Sequence, residues 1–443
     1  MLTAETKTRT KHTQYVLTPW SAQGALDMPT IDHAIGSWLY DTNGKKYLDL
    51  SAGLVAVNLG HSHPTVVRAI ADQAAKLCYA APAFFNELRT EVAEELASLA
   101  PWSEGARTFF TTGGGEANED AIKMSRMISG RHKVLATYRS FHGSAPGAGT
   151  LSGENRRWPN EPGIPGVIHF FAPFPYRSPF NTDDPVEETG RALEHLELVL
   201  TYEDPNRVAA IIMEPVVGSN GVIVYPDGYL KGVREICDRH GIFLIFDEVM
   251  TGFGRTGAAF ACERFGVTPD LITIAKGSTS AYVPLGGVIV RERLASYFDD
   301  HVLNCGHTYS GHPLAMAAAR GALRAYKEEH IFARALEIEQ WMRQLLGNLR
   351  DSSPIVGDVR GIGAFFALDL VRDRATREPI VAWQGPSAGV MPTILKSLRK
   401  RGVYAFGRYN VILVTPPLTI SRDELSFGVD ALSGALAEAA SAL

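Results

Sequence analysis

"IFLIFDEVMTGFGRTG" (242–257) and "PDLITIAKG" (269–277) decide the fold. In each, a short apolar run ends on charge: Ile242 to Phe246 on Asp247-Glu248, and Leu271 to Ala275 on Lys276. "RVAAIIMEP" (207–215) is a third run of this kind and finishes on Glu214. Continuous apolar runs without polar alternation fit strands covered on both faces, as in a sheet flanked by helices. Between the runs ending on Glu214 and Asp247 lies a helical pattern, in which Leu230, Val233, Ile236 and Cys237 share a face and Gly241 marks the stop. "LGGVIVRER" (285–293) and "KVLATYRSFHG" (133–143) read as further strands. A single lysine at a strand end reads as a solvated edge, because lysine is nearly always exposed. Three such ends, two acidic and one basic, read as a site, because open α/β sheets bind ligands beyond the carboxyl ends of their strands.

The chain has 443 residues, more than one compact core accommodates. It is 45% hydrophobic and 21% charged, with 43 basic against 48 acidic residues and a formal net charge of −5. That balance, with no basic block, argues against nucleic acid as a partner. Cys78, Cys237, Cys262 and Cys305 show no metal-type spacing and read as reduced, buried thiols of a cytoplasmic protein. The polar start "MLTAETKTRTKHTQYVL" is not a secretory signal, and no apolar run is long enough to span a bilayer. His61 and His63 alternate without further ligands at suitable spacing and read as a turn, so no metal is expected.

The chain ends differ from the middle. "GSWLYDTNGKKYLDLSAG" places Asn43-Gly44 between two half-apolar runs, a hairpin signal. Toward the C-terminus, amphipathic helices alternate with short strands such as "FFALDLV" and "VILVTPP", and Ser421 to Glu424 fits a capping box. The expected fold is α/β: residues 76–335 form a large domain with a mostly parallel central sheet flanked by helices. Residues 1–75 and 336–443 together form a smaller α+β domain.

Two glycine motifs compete for a phosphate. "FFTTGGGEANEDAIKMSRMISG" (109–130) runs through three glycines into a helix. Such a start presents backbone N–H groups and the positive end of the helix dipole to an anion, or is merely a flexible turn. Gly252 to Gly257 matches G-x-G-x-x-G, but Asp247 to Thr251 separate it from its strand and no acid follows at the dinucleotide spacing, so it reads as a tight turn. A strand-end lysine, a neighbouring aspartate and a phosphate cradle together suit pyridoxal 5'-phosphate (PLP). The lysine forms an imine with the aldehyde and moves protons, and the aspartate keeps the pyridine nitrogen protonated.

These motifs, in order with "SFHG", "EPV" and "GHTYSGHP", resemble the class III aminotransferases, fold type I PLP enzymes that include ω-amino acid and amine transaminases. The taurine- and β-alanine-type members are the nearest in flavour, through "TPWSAQG" and "SAGLVAVNLGHSHP". The resemblance implies transfer of an amino group from an ω-amino acid or primary amine to a keto acid such as pyruvate, by a ping-pong cycle. A lyase or aminomutase on the same scaffold, such as an amine-phosphate lyase, is the alternative. It also implies a homodimer with shared active sites, or a tetramer of such dimers. Lys276 is implied as the Schiff-base lysine and Asp247 as the partner of the pyridine nitrogen. Val249 and Phe141 would flank the ring, His142 and Glu214 would support it, and Gly114 and Gly115 would hold the phosphate. Thr308 would reach the phosphate of the neighbouring subunit.

Departures from the family pattern bear on the substrate. Ser219 stands where GABA-type members carry a glutamate, and Leu413 where its arginine partner aligns. Phe406 falls at the position of the arginine used by ω-amino acid:pyruvate members; with a loop two residues shorter, Arg408 serves instead, or is a solvated loop arginine. Met250 replaces a glutamine. Trp20 and Val55 lie in stretches that face the substrate in relatives, and Trp20 with Phe84 or Phe85 either lines an apolar pocket or packs in the core.

Overall fold

A computed structural model describes residues 4–383 and 389–442; Met1 to Thr3, the head of the polar N-terminal stretch, lie outside the described residues. The central sheet has seven strands. In chain order they are β1 (Ala106–Thr111), β2 (Lys133–Thr137), β3 (Val167–Phe170), β4 (Val208–Met213), β5 (Phe243–Asp247), β6 (Leu271–Ile274) and β7 (Gly286–Arg291). Their spatial order is β1-β7-β6-β5-β4-β2-β3. Only β7 runs against its neighbours, β6 and β1.

Alternate residues of these strands feed two cores, which is why the runs are apolar throughout. Ile212, Ile245 and Leu271 pack with Ala117, Ala121 and Ile122 of helix α1 (Gly114–Ser129). Ile211, Leu244, Phe246 and Ile272 face the opposite layer, with Leu196, Val233 and Cys237. The Tyr229–His240 helix ends at Gly241 in the left-handed conformation, as its pattern predicts.

Segments from both chain ends meet in a second sheet. Strands Ile31–Ile35, Trp38–Asp41 and Lys46–Asp49 form a meander, and the C-terminal strand Val403–Tyr404 adds to it in parallel, Val403 opposite Leu48. Asp41 closes the Asn43-Gly44 turn by accepting from the amides of Asn43 and Lys45, each at 2.9 Å. The capping box at Ser421 and Glu424 forms as expected. The Gly252 to Gly257 segment is a turn rather than a helix start. Its Arg255 is fully buried and donates to the Ala364 and Pro416 carbonyls and to Asn58 Oδ1.

Candidate active site

Strand register brings the three charged ends together. Met213 pairs with Phe246, which sets Glu214 beside Asp247, and Asp247 pairs with Thr273, three residues before Lys276. Lys276 follows the end of β6 with φ +45°. This left-handed backbone costs a non-glycine residue roughly 1–2 kcal/mol, and strain of that kind collects at functional sites. The next residue has no room for a side chain: a Cβ at Gly277 would lie 2.6 Å from Asn58 Nδ2 and 2.9 Å from Phe253 Cβ. Tyr326 fixes this corner by donating to the Gly277 carbonyl at 2.6 Å.

These ends open into a cavity of about 380 Å³. Lys276, Asp247, Glu214, Val249, Phe141, His142, Gly114 and Gly115 all line it, as does Met250. Asp247 Oδ2 accepts from Asn118 Nδ2 at 2.8 Å and meets His142 Nδ1 at 2.7 Å. Asn118 is oriented in turn by Thr273, whose hydroxyl donates to Asn118 Oδ1 at 2.7 Å. His142 Nε2 is buried and has no hydrogen-bond partner among the described residues. Glu214 accepts from the amides of Phe141 at 3.0 Å and Gly218 at 2.8 Å, and burial pushes its carboxyl above the usual range.

Burial pulls the Lys276 ammonium down to about 8; Asp247 and Glu214 oppose the shift, while Arg156 and Arg255 add to it. An amine in that range sheds its proton far more readily than an ordinary lysine, as an imine-forming nucleophile requires. Opposite, α1 starts directly at the cavity, and its first amides have no intrahelical acceptors. A Cβ at Gly114 would come within 2.8 Å of Val249 Cγ2, so only glycine lets the backbone approach here. The donor set therefore fits PLP: an amine for the aldehyde, a carboxylate for the ring nitrogen and open amides for the phosphate.

The other sequence candidates lie elsewhere. Val55 is buried in a cluster with Val216, Val222 and Ile362, and its neighbour Ala56 lines the cavity. Trp20, Phe84 and Phe85 are exposed on this chain. Thr308 is also exposed, and its carbonyl accepts from Tyr79 at 3.0 Å. Arg408 is ion-paired with the buried carboxylate of Glu154 at 2.8 Å. His61 and His63 contact Asp49 and Glu329 respectively, and no metal-holding group of His, Cys, Asp or Glu occurs among the described residues.

Sequence reasoning missed Asn118, Thr273, Glu154 and Arg156. The first two carried a signal: Asn118 is one of three polar residues, with Asp120 and Ser125, on the buried face of α1, and Thr273 is the only polar residue in β6. Glu154 and Arg156 lie in an irregular stretch around the Asn155–Asn160 3-10 turn, where no periodicity marks them.

The family model for class-III aminotransferases matches residues 21–436. An omega-aminotransferase from Caulobacter vibrioides is 35% identical over 425 residues, covering 92% of this chain and 93% of its own. Among solved structures, taurine:2-oxoglutarate aminotransferase from Bifidobacterium kashiwanohense, in complex with PLP and glutamate, superposes with a TM-score of 0.95 at 42% identity, covering 100% of this chain and 99% of its own. A PLP-bound amine transaminase from an uncultivated Pseudomonas species gives a TM-score of 0.92 at 34% identity, over 96% and 98% of the two chains.

Proposed function

The chain belongs to the class III aminotransferases, PLP enzymes of fold type I, and from that premise we propose that it moves an amino group from an ω-amino acid or related primary amine to a keto acid such as pyruvate. The observation that carries this reading is the convergence of Lys276, Asp247 and the glycine-opened start of α1 on one cavity. Taurine and 2-oxoglutarate, named for the Bifidobacterium neighbour, fall within the same substrate classes. A lyase on this scaffold is not favoured, since the compared proteins are transaminases.

PLP supplies an aldehyde that takes up the donor nitrogen and a ring that accepts electrons from the reacting carbon. The chain's own residues do the rest. The Lys276 amine would take the proton from the donor carbon that bears the nitrogen, and the ammonium so formed would give it up to the former aldehyde carbon; the keto-acid half would run the same transfer in reverse. Asp247, held by Asn118 and His142, would supply the counter-charge that a protonated ring nitrogen needs. Phe141 and Val249 line the cavity and would flank the ring, and the amides of Gly114 and Gly115 would hold the phosphate. A second copy would cover the exposed Trp20, Phe84 and Phe85 and bring Thr308 to its partner's phosphate; exposed aromatics of this kind suit an interface. Of the free cysteines, Cys237 and Cys262 are buried as expected, whereas Cys78 is exposed and Cys305 half-buried; unpaired thiols suit the reducing cytoplasm.

The test is a half-reaction. Donor alone should shift the bound cofactor's visible absorbance, and keto acid should restore it. Release of ammonia from the amine with no acceptor present would replace this reading by the lyase.

A further inference from the structure

Arg255, in the Gly252 to Gly257 turn, is an isolated cation in the protein interior. It is fully buried, yet all its acceptors are neutral. Nη1 donates to the Ala364 carbonyl at 3.0 Å and the Pro416 carbonyl at 2.6 Å, and Nη2 to Asn58 Oδ1 at 2.7 Å. Its Nε is buried with no partner among the described residues. Asp49 acts on it through space, but the oxygens of that carboxylate are taken by the Ser51 and Gly53 amides and by His61. Burying a charge without a counter-ion is costly. Neutral donors could meet the same carbonyls and amide without that cost, so the charge itself calls for a use.

This cation stands behind the corner that carries the reacting amine. Asn58, which accepts from Arg255, donates through Nδ2 to the Phe253 carbonyl at 3.0 Å. That Nδ2 and Phe253 Cβ are the atoms that leave Gly277 no room for a side chain. One side chain, Asn58, and one glycine, Gly277, therefore join Arg255 to Lys276. The guanidinium also gathers both chain ends, Asn58 from one and Ala364 and Pro416 from the other. Backbone bonds close the group: the Ala364 amide donates to the Arg255 carbonyl at 2.9 Å and the Leu418 amide to the Asn58 carbonyl at 2.7 Å. Two guanidiniums act on Lys276, Arg156 and Arg255. Arg156 has a carboxylate partner in Glu154, and the acceptors of Arg255 include none.

We propose that Arg255 is a positioning residue for the reaction: through Asn58 it braces the Gly277 corner on which Lys276 stands, and its unpaired charge favours the neutral, reactive form of that amine. This rests on the aminotransferase reading and deepens it. A like charge nearby disfavours an ammonium, and burial keeps solvent from screening the effect. The charged groups acting on Lys276 are Asp247, Glu214, Arg156 and Arg255, and the two acids hold its proton on. Arg255 opposes them from a place that substrate does not reach, so its effect is the same for every donor. Burial lowers the guanidinium itself only to about 10, which leaves it charged at neutral pH.

The experiment follows uptake of PLP by the full-length chain stripped of its cofactor, read as growth of visible absorbance across pH, in the parent, Arg255→Gln and Asn58→Asp. The midpoint of that pH–rate profile reports the Lys276 proton. It should rise by about one pH unit in Arg255→Gln. In the reloaded holoenzyme, kcat of Arg255→Gln should fall about tenfold at neutral pH and recover toward the parent's as pH rises, because the loss lies in the fraction of neutral amine. A merely structural defect would lower kcat at every pH and leave the midpoint in place, and either result overturns the proposal. Should Arg255→Gln fail to fold, Asn58→Asp decides. It answers the guanidinium with a carboxylate of nearly the same shape, so the midpoint should rise there too, and an unmoved midpoint overturns the proposal. A parent that takes up PLP yet moves no amino group would sink the aminotransferase reading instead, and the midpoint would still report on Arg255.

Discussion

The cavity's sheet side and the ground behind its Phe141 wall are each organised around one carboxylate, and they are built differently. On the sheet side, Asp247 ends a central strand and is held by a helix residue, Asn118, which a neighbouring strand positions through Thr273. On the outer side, Glu154 precedes a short 3-10 turn and pairs with Arg156 in that turn and with Arg408, 254 residues along the chain. The first arrangement hangs on regular elements with two-faced apolar packing, and the second on irregular segments. The difference bears on how each can vary: the outer group can change without disturbing the strand ends, and variation of that kind is how one fold supports many sites.

The sharpest way to break the comparison is to remove the amine on the sheet side. Lys276→Ala should lower turnover of every donor by about 10⁴-fold, because imine exchange and proton transfer are lost together. Single-turnover absorbance with acidic and neutral donors checks this. A loss confined to acidic donors would mean that Lys276 selects rather than reacts.

On the outer side the largest effect should be on stability. Glu154→Gln leaves two guanidiniums facing each other without a counter-charge. Breaking such a pair from the acidic side should cost about 3 kcal/mol, read by denaturant unfolding of the holoenzyme. A variant as stable as the parent would show that water, and not Glu154, balances Arg156 and Arg408.

The same contrast explains what could be read from the sequence. Five of the seven strands of the central sheet were legible because burial on both faces leaves uninterrupted apolar runs, and three of them had charged ends that stood out against that background. The two edge strands, Ala106–Thr111 and Val167–Phe170, were not, because they are only partly buried and carry no such run. Helix α1 was legible from its three glycines and the pattern that follows them. Asn118 and Thr273 were readable in principle, as polar residues among buried apolar ones. The Glu154 group was not, because it joins residues near 155, 219 and 408 through tertiary contacts that leave no local pattern. Arg408 was picked out by alignment logic, yet its partners were visible only once the C-terminal strand Phe406–Arg408 was in place.

A third, smaller effect sharpens the sheet side. With the cofactor removed, the Lys276 amine has a folded-state pKa near 8, below its ordinary 10.5, so the unfolded chain binds the proton more tightly. Stability of the cofactor-free protein should therefore climb as pH rises from about 8 to 10.5 and show no Lys276 contribution to its slope below that window. Lys276→Met should remove that slope and stabilise the cofactor-free protein at neutral pH by on the order of 2 kcal/mol. Melting curves across pH measure both. A slope that persists in Lys276→Met would assign it to another group.

The smallest effect probes how tightly the outer cation is preset. Ser219→Ala removes one hydrogen bond from Arg156 Nη2 and leaves its Glu154 pair and its contact with Phe141 in place. A hydrogen bond to a charged group that can partly rehydrate contributes about 1 kcal/mol, so the holoenzyme should drop by about that much in stability, read by denaturant unfolding. A drop as large as that of Glu154→Gln would mean that Ser219, and not Glu154, holds the guanidinium in place. No drop would mean that Glu154 and the Phe141 ring fix the guanidinium without help, and the outer side would then be as rigid as the sheet side despite its irregular backbone.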